Sequence, residues 1–312
     1  MDNVTNNVSY IVMLQGFNVP QERAFLAFLL AVLGYMVIVF CNLLLFLTVI
    51  LNRALHQPMY ILLINMPIND LIGSSALFSH LFREFLTNSK AIEFPACVIQ
   101  AFFIHIYATG VVFTLAAMAY DRYIAICKPL QYASIMTNAH LMRLIALVWG
   151  TNLFIIAVLF ILLLRLPRCR NNVTHTYCDN PSLLRTMCGD TTINNIYGIL
   201  TVTCTQPITV GIILYTYLQI LITCFRSKST DTRAKAMQTC ATHLVVFLLF
   251  ECLGLFTIVS YRIPKLSPLL TNFIGVSALI FPPTLNPIIY GVNTKEIRRR
   301  AIMLFKKHIF PM

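Results

Sequence analysis

Ala24 to Leu51 is a run of 28 residues without one charged side chain. A helix needs roughly 20 apolar residues to cross the hydrocarbon of a bilayer. Backbone N–H and C=O groups find no water there, so a run of this kind satisfies them internally, as a helix. Leu144 to Leu164 is a second uncharged run, of 21 residues. The same scan along the rest of the chain gives seven spans, near 24–51, 59–82, 94–127, 141–165, 194–225, 236–261 and 269–291. The sequence therefore predicts an all-α membrane protein, a seven-transmembrane helix bundle occupying 24–293. Residues 294–308 are too few and too basic to cross. Their apolar Ile297, Ala301, Met303, Leu304 and Phe305 suit a short amphipathic helix on the membrane surface.

Composition agrees: 58% of the 312 residues are hydrophobic and 11% are charged, where a soluble domain carries about 25% charged. The net charge of +12 would suggest nucleic acid in a soluble protein. Here its distribution argues for lipid instead. An odd number of spans puts the termini on opposite sides. The segments on the C-terminal side hold 14 of the 23 basic residues against three acids, Asp121, Asp231 and Glu296. The positive-inside rule places that side in the cytoplasm, with 294–312 as surface helix and tail. Residues 1–23 then lie outside the cell. The sequons at Asn3, Asn7 and Asn172 all fall on this outer side. No cleavable signal peptide is visible, so the first span is expected to target the chain to the plasma membrane.

Four of the ten cysteines lie outside or at the outer rim: Cys97, Cys169, Cys178 and Cys188. The outer side is oxidising, so pairing is expected. Four cysteines allow three connectivities, and the spacing alone does not choose. The other six read as small buried hydrophobes. No CxxC pair exists, so no metal site is expected.

Several motifs follow one another along the chain. Span one carries Asn42. "LHQPMY", Leu55 to Tyr60, opens span two, and Asp70 sits inside it. "MAYDRYIAICKPLQY", Met118 to Tyr132, closes span three. Trp149 lies in span four. "KAMQTCATHLVV", Lys235 to Val246, opens span six. "PPTLNPIIYGVNTKEIRRR", Pro282 to Arg300, ends span seven. In this order and over essentially the whole chain, they resemble the odorant (olfactory) receptors, a branch of the rhodopsin-like G-protein-coupled receptors. The second outer loop, Tyr177 to Gly198, is similar to that of the fish-like class I branch.

The resemblance implies a mechanism and partners. A small odorant binds among the outer halves of the helices. The inner end of span six moves outward, and a stimulatory olfactory G protein docks. Family pattern pairs Cys97 with Cys178 and Cys169 with Cys188. It assigns the switch and coupling surface to Asp121, Arg122, Tyr123, Tyr217, Lys235, His243, Asn286, Pro287 and Tyr290. Asp70 with Asn42 and Asn286 matches a polar network that holds sodium and water in rhodopsin-like receptors. Val111 departs from it, standing where many relatives have a polar or acidic residue. No other cofactor is implied.

For the ligand, the class I resemblance points to water-soluble odorants such as short carboxylic acids. Arg262, at the outer end of span six, can form two charge-assisted bonds to a carboxylate. His105 lies eight residues, about 12 Å, below Cys97. Glu251 interrupts the apolar run Leu244 to Phe256. It lies eleven residues, or roughly 16 Å, below Arg262 and on nearly the same helix face. A Glu251–His105 contact is the expected internal pairing. A ligand carrying both signs of charge, such as an amino acid, is the further reading.

Other classes fit less well. A transporter would show facing polar residues at the midplane or an internal repeat. Apart from Asp121 at the end of span three, only Asp70 and Glu251 are acidic within the spans, and no repeat is seen. An enzyme would need a nucleophile–base or metal constellation, and no HExxH or GxSxG occurs. A rhodopsin-like receptor for an amine or amino acid is the nearer rival. It would usually carry a tryptophan and a proline midway along span six, where this chain has Glu251 and Leu253.

Overall fold

The computed structural model describes residues 10–17, 19–226, 230–260 and 267–309; the side chains of 230–240, 242–243, 268–269 and 305–309 are outside that description. In chain order the helices are α1 (Gln21–Leu51), α2 (Pro58–Leu63), α3 (Asn65–Thr87), α4 (Phe94–Cys127), α5 (Tyr132–Ile135), α6 (Asn138–Leu164), α7 (Asn180–Leu184), α8 (Thr192–Arg226), α9 (Thr230–Ser260), α10 (Pro268–Asn293) and α11 (Lys295–Ile309). The strands are β1 (Ile11–Leu14), β2 (Ala91–Glu93) and β3 (Asn172–Val173). Seven bodies make the bundle: α1, the α2–α3 pair, α4, α6, α8, α9 and α10. Among the described residues six of them are long and apolar enough to cross a bilayer, and α9 contributes the shorter apolar stretch Leu244–Ser260. Each predicted span falls on one of these bodies within the described residues, Tyr261 at the end of the sixth lying outside them. The predicted surface helix 294–308 is α11.

Local chemistry explains the ends and breaks. Thr137 caps α6, its hydroxyl accepting from the His140 N–H at 3.2 Å. α3 stops at Asn88, whose φ of +49° is the left-handed conformation that closes many helices. The second span is broken at Ile64, just before Pro67, which has no N–H to give to the Leu63 carbonyl. Asn65 repairs the break: its amide donates to the carbonyls of Ile61 (3.0 Å) and Leu62 (2.9 Å) and accepts from the Trp149 indole at 2.8 Å. Trp149 thus locks α6 against the kink.

α4 runs through the centre, packing against α3, α6, α8 and α9. Tyr107, Val111, Leu115 and Met118 on α4 are buried in the main core with Leu62, Met66 and Leu77 of the second span and Ile213 and Ile220 of α8. The outward face of α1 is apolar and exposed, with Phe25, Leu30, Leu33 and Phe40 all more than half accessible. Such a face, on a helix of bilayer-spanning length, suits contact with lipid.

β1 is the central strand of a small sheet at the outer end. It pairs antiparallel with β2 (Val12 opposite Ile92) and parallel with β3 (Met13 opposite Asn172). Val12, Leu14, Ile92 and Val173 turn inward while Ile11 and Met13 turn out. The sequence reading gave this N-terminal segment no structure.

Candidate functional site

α10 contains Pro282, Pro283 and Pro287. A proline lacks the N–H that would bond the carbonyl four residues back. The carbonyls of Ala278, Leu279 and Pro283 therefore lose their helical donors. Two of the three are capped from other helices. Tyr107 of α4 donates its hydroxyl to Ala278 at 3.2 Å. Asn42 of α1 donates to Pro283 at 2.8 Å and to Ile38 of its own helix at 2.9 Å. Asn286 Nδ2 donates to both carboxylate oxygens of Asp70 on α3, at 3.2 and 3.1 Å. The network predicted from Asn42, Asp70 and Asn286 is thus assembled, and it joins α1, α3 and α10. Asn42 Oδ1 and Asn286 Oδ1 receive no hydrogen bond from the protein. Asp70 and these two buried acceptor oxygens are of the ligand type that water or a hard cation takes. Val111 is fully buried on α4 and supplies no ligand.

At the inner end of α4, Asp121 is wholly buried and Arg122 folds back onto it. Arg122 Nε donates to Asp121 Oδ2 at 3.0 Å, and Nη2 reaches the same oxygen. The other oxygen accepts from the Tyr132 hydroxyl of α5 at 2.9 Å. Burial and the Asp121 charge push the Tyr132 phenol well above its ordinary pKa, so it stays a donor. Tyr123 lies against Tyr215 of α8, ring centres 6.0 Å apart, with the Lys128 ammonium 5.7 Å from its ring. Tyr217 of α8 and Tyr290 of α10 are buried in the same core cluster. The structure thus gathers Asp121, Arg122, Tyr123, Tyr217, Asn286, Pro287 and Tyr290 on the inner half of the bundle. Lys235 and His243 stand on α9, their side chains outside the described residues.

At the outer end, Cys97–Cys178 and Cys169–Cys188 are both bonded. The first ties α4 to the second outer loop. Gln100 reinforces it, accepting from the Cys178 N–H and donating to the Ala76 carbonyl of α3, both at 2.8 Å. The N-terminal segment closes over the same end. The Phe17 N–H donates to Glu84 of α3 at 2.8 Å, and Gln15 accepts from Asn272 of α10 at 3.2 Å. Asn172 is exposed on β3. Asn3 and Asn7 lie outside the described residues.

The ligand candidates separate. His105 bonds the Ala101 carbonyl at 2.8 Å through Nδ1 and sets its ring edgewise on Phe160 of α6, centres 5.6 Å apart. Glu251 is buried, and the group that meets it is Gln206 of α8 rather than His105. With its amide nitrogen turned toward the carboxylate, Gln206 donates to Oε1 at 3.1 Å and Oε2 at 3.0 Å. The expected Glu251–His105 pairing is replaced because the backbone carbonyl one turn up α4 and Phe160 already hold the imidazole. Arg262 lies outside the described residues. Sequence reasoning missed Gln206, Tyr107 and Tyr132. The signals available were a glutamine beside Pro207 and a tyrosine inside the "MAYDRY…QY" motif.

Comparison with known proteins agrees with this architecture. The sequence model described as "Olfactory receptor" matches residues 30–308. Human olfactory receptor 51I2 is 35% identical over 256 residues, 81% of each chain. Human olfactory receptor 51E1 is 33% identical over 305 residues, 96% of this chain and 94% of its own length. Mouse olfactory receptor 51E2 is 35% identical over 87% of this chain and 86% of its own. The crystal structure of squid rhodopsin superposes with a TM-score of 0.74 over 94% of this chain and 88% of its own, at 15% identity, which speaks for the fold alone. The chain belongs to the olfactory receptor family, rhodopsin-like G-protein-coupled receptors that span the plasma membrane, bind an odorant and signal through a G protein.

Proposed function

We propose that this receptor recognises a small water-soluble odorant bearing a carboxylate, and that it signals through a stimulatory olfactory G protein to adenylyl cyclase. Its N-terminus is outside and its C-terminus cytoplasmic. The distribution of basic residues supports that orientation, with 14 of 23 on the C-terminal side. So do the exposed Asn172 sequon and the two disulfides on the opposite side. The observation that carries the ligand class is Arg262. It is a permanent cation eleven residues after the buried Glu251 in the sequence. A bidentate pair with a ligand carboxylate would hold one end of the odorant. His105 supplies a second polar contact from α4. In the inner half, Asp70, Asn42 and Asn286 would hold a sodium ion with its water, short of the ligand that Val111 does not provide.

The test is a cyclic-AMP screen of short acids, esters and alcohols in cells expressing the receptor. Acids should be enriched among agonists, and Arg262→Ala should weaken them about tenfold or more at equal surface expression. Unchanged potency would remove Arg262 as the anchor.

A further inference from the structure

β1 is held along both edges and on one face. Its Met13 N–H donates to the Asn171 carbonyl at 2.7 Å, and its Leu14 N–H to the Lys90 carbonyl at 3.0 Å. Val12 and Leu14 turn inward, into one buried cluster with Ile92, Val173 and the bonded Cys97 and Cys178. The other face is apolar and looks out. Tyr10 is 60% exposed, and Ile11 and Met13 are each 45% exposed. Lipid does not account for this face. β2 follows the end of α3, and β3 begins eight residues past the end of α6, so the sheet stands beyond the bilayer-spanning helices. Charged groups border it. Glu93 is the residue opposite Ile11, Arg170 stands two residues before Asn172, and both are exposed. An apolar strip with a polar rim on a water-facing surface marks a contact site.

Asn172 stands beside that strip. In the parallel pairing of β1 with β3, Met13 is opposite Asn172 and Leu14 is opposite Val173. Opposed residues share a face, and neighbouring strands lie about 5 Å apart. Asn172 therefore projects from the side that carries Met13 and, two residues back along β1, Ile11. Asn172 and Thr174 are exposed while Val173 between them is buried. The sequon Asn172-Val173-Thr174 thus offers both of its working side chains to water.

We propose that Asn172 carries an N-linked glycan whose first sugars lie over Met13 and Ile11 and cover the outward face of β1. The modification joins Asn172 Nδ2 to the anomeric carbon of an N-acetylglucosamine. That carbon's bond to the diphosphate of a lipid-linked oligosaccharide donor breaks. The diphosphate leaves with the bonding electron pair, and the amide loses one proton. A pyranose ring presents C–H groups on its faces and hydroxyls at its rim. It rests on Met13 and Ile11 through the former and keeps the latter in water, toward Glu93. The glycan is bulky and solubilising where the bare strand is apolar. β1 is then clamped between a buried core and a sugar, and the N-terminal closure is held from outside as well as inside. The inference rests on the orientation given in the preceding section, with this end of the bundle outside the cell.

The full-length receptor, expressed in mammalian cells with an epitope ahead of residue 1, tests this. Mass spectrometry after enzymatic deglycosylation should find the mark of a former glycan at Asn172. Thr174→Ala should abolish that mark, and Thr174→Ser, which keeps the sequon, should retain it. Packing is read at Met13→Cys, from the rate at which a bulky membrane-impermeant maleimide labels it on intact cells. Adding Thr174→Ala should speed that labelling about fivefold or more, because the bulky shield is gone. Asp190→Cys, an exposed control after Cys188, should label at an unchanged rate. If Thr174→Ala does not reach the surface, enzymatic removal of the glycan in an Asn3→Gln, Asn7→Gln background decides instead. The proposal is overturned if Asn172 is unmodified in the wild type. It is also overturned if Met13→Cys labels within about twofold with and without the glycan, or if the Asp190→Cys control speeds up equally. Antibody labelling of the epitope on intact cells separates the two readings. A hidden epitope removes the orientation and the inference with it, whereas a surface epitope with an unmodified Asn172 overturns the inference alone.

Discussion

Tyr107 of α4 donates its hydroxyl to the carbonyl of Ala278, the acceptor that Pro282 has stripped of its helical partner four residues on. The same logic joins Asn42 to the Pro283 carbonyl opposite Pro287. The prolines of α10 are tolerated in the membrane because neighbouring helices answer two of the three carbonyls they free. Tyr107→Phe keeps the ring against Phe250 and removes only the donor. It should destabilise the receptor by about 1 kcal/mol and lower its melting midpoint by roughly 2–4 °C. Asn42→Leu, which removes the donor to two carbonyls, should cost more. Melting of the purified variants checks both, and an unchanged Asn42→Leu would remove the capping argument.

Arg122, which the motif resemblance assigns to the signalling switch, is turned to Asp121. Arg122→Ala should abolish odorant-stimulated cyclic AMP while leaving ligand-induced thermal stabilisation in place. Tyr132→Phe tests the arrangement more gently. It removes one bond to Asp121 and keeps the pair with Arg122. A loss of about 1 kcal/mol from the resting arrangement would raise basal signalling up to about fivefold. Basal cyclic AMP at equal surface density is the readout, and a fall would contradict the restraining role.

The membrane architecture was legible because apolar runs of bilayer length are hard to mistake. The predicted 94–127 coincides with α4, and 194–225 lies within α8. The chemistry between helices was less legible. Nothing local says that Tyr107 meets Ala278, since the two are 171 residues apart in the chain. Glu251 was visible as an anomaly, but its partner was misassigned. Depth along a helix can be counted; rotation and the prior claims of a backbone carbonyl on His105 cannot. β1 was missed for another reason. "IVML" is only four residues, and its inward–outward alternation acquires meaning only beside β2 and β3.

The outer closure depends on loop two being held twice. Cys97→Ser breaks the link between α4 and that loop across 81 residues of chain. Loss of a bridge of this kind typically costs about 2–5 kcal/mol, so surface expression should fall to background. Gln100→Leu should have a smaller effect in the same direction, because it leaves the Cys178 N–H without its side-chain acceptor. Surface labelling of intact cells distinguishes the two. Equal expression of Cys97→Ser and wild type would mean the bridge is dispensable for folding.

Close helix approach supplies the last prediction. Gly73 of α3 faces Tyr107, and a Cβ placed on it would lie 2.7 Å from the ring Cδ1. Gly110 of α4 faces Asn69 of α3 and Asn152 of α6, where a Cβ would fall 2.7 and 2.9 Å from their amide nitrogens. Tyr107 is fully buried and tied to α10, and Asn152 donates to the Ile106 carbonyl at 2.9 Å. Tyr107 and Asn152 cannot swing away without losing a bond, and Asn69, whose amide makes no hydrogen bond among the described residues, is confined by its complete burial. Gly73→Ala and Gly110→Ala should therefore each cost about 1–3 kcal/mol through overpacking, visible as lower surface expression and a lower melting midpoint. Gly34 of α1 and Gly150 of α6 are the controls, since nothing within 4 Å would meet a Cβ there. Alanine at those two positions should be neutral or slightly stabilising, because it favours the helix by up to about 1 kcal/mol over glycine. If all four substitutions behave alike, the effect is one of helix propensity and the close approach of α3, α4 and α6 is not what the glycines serve.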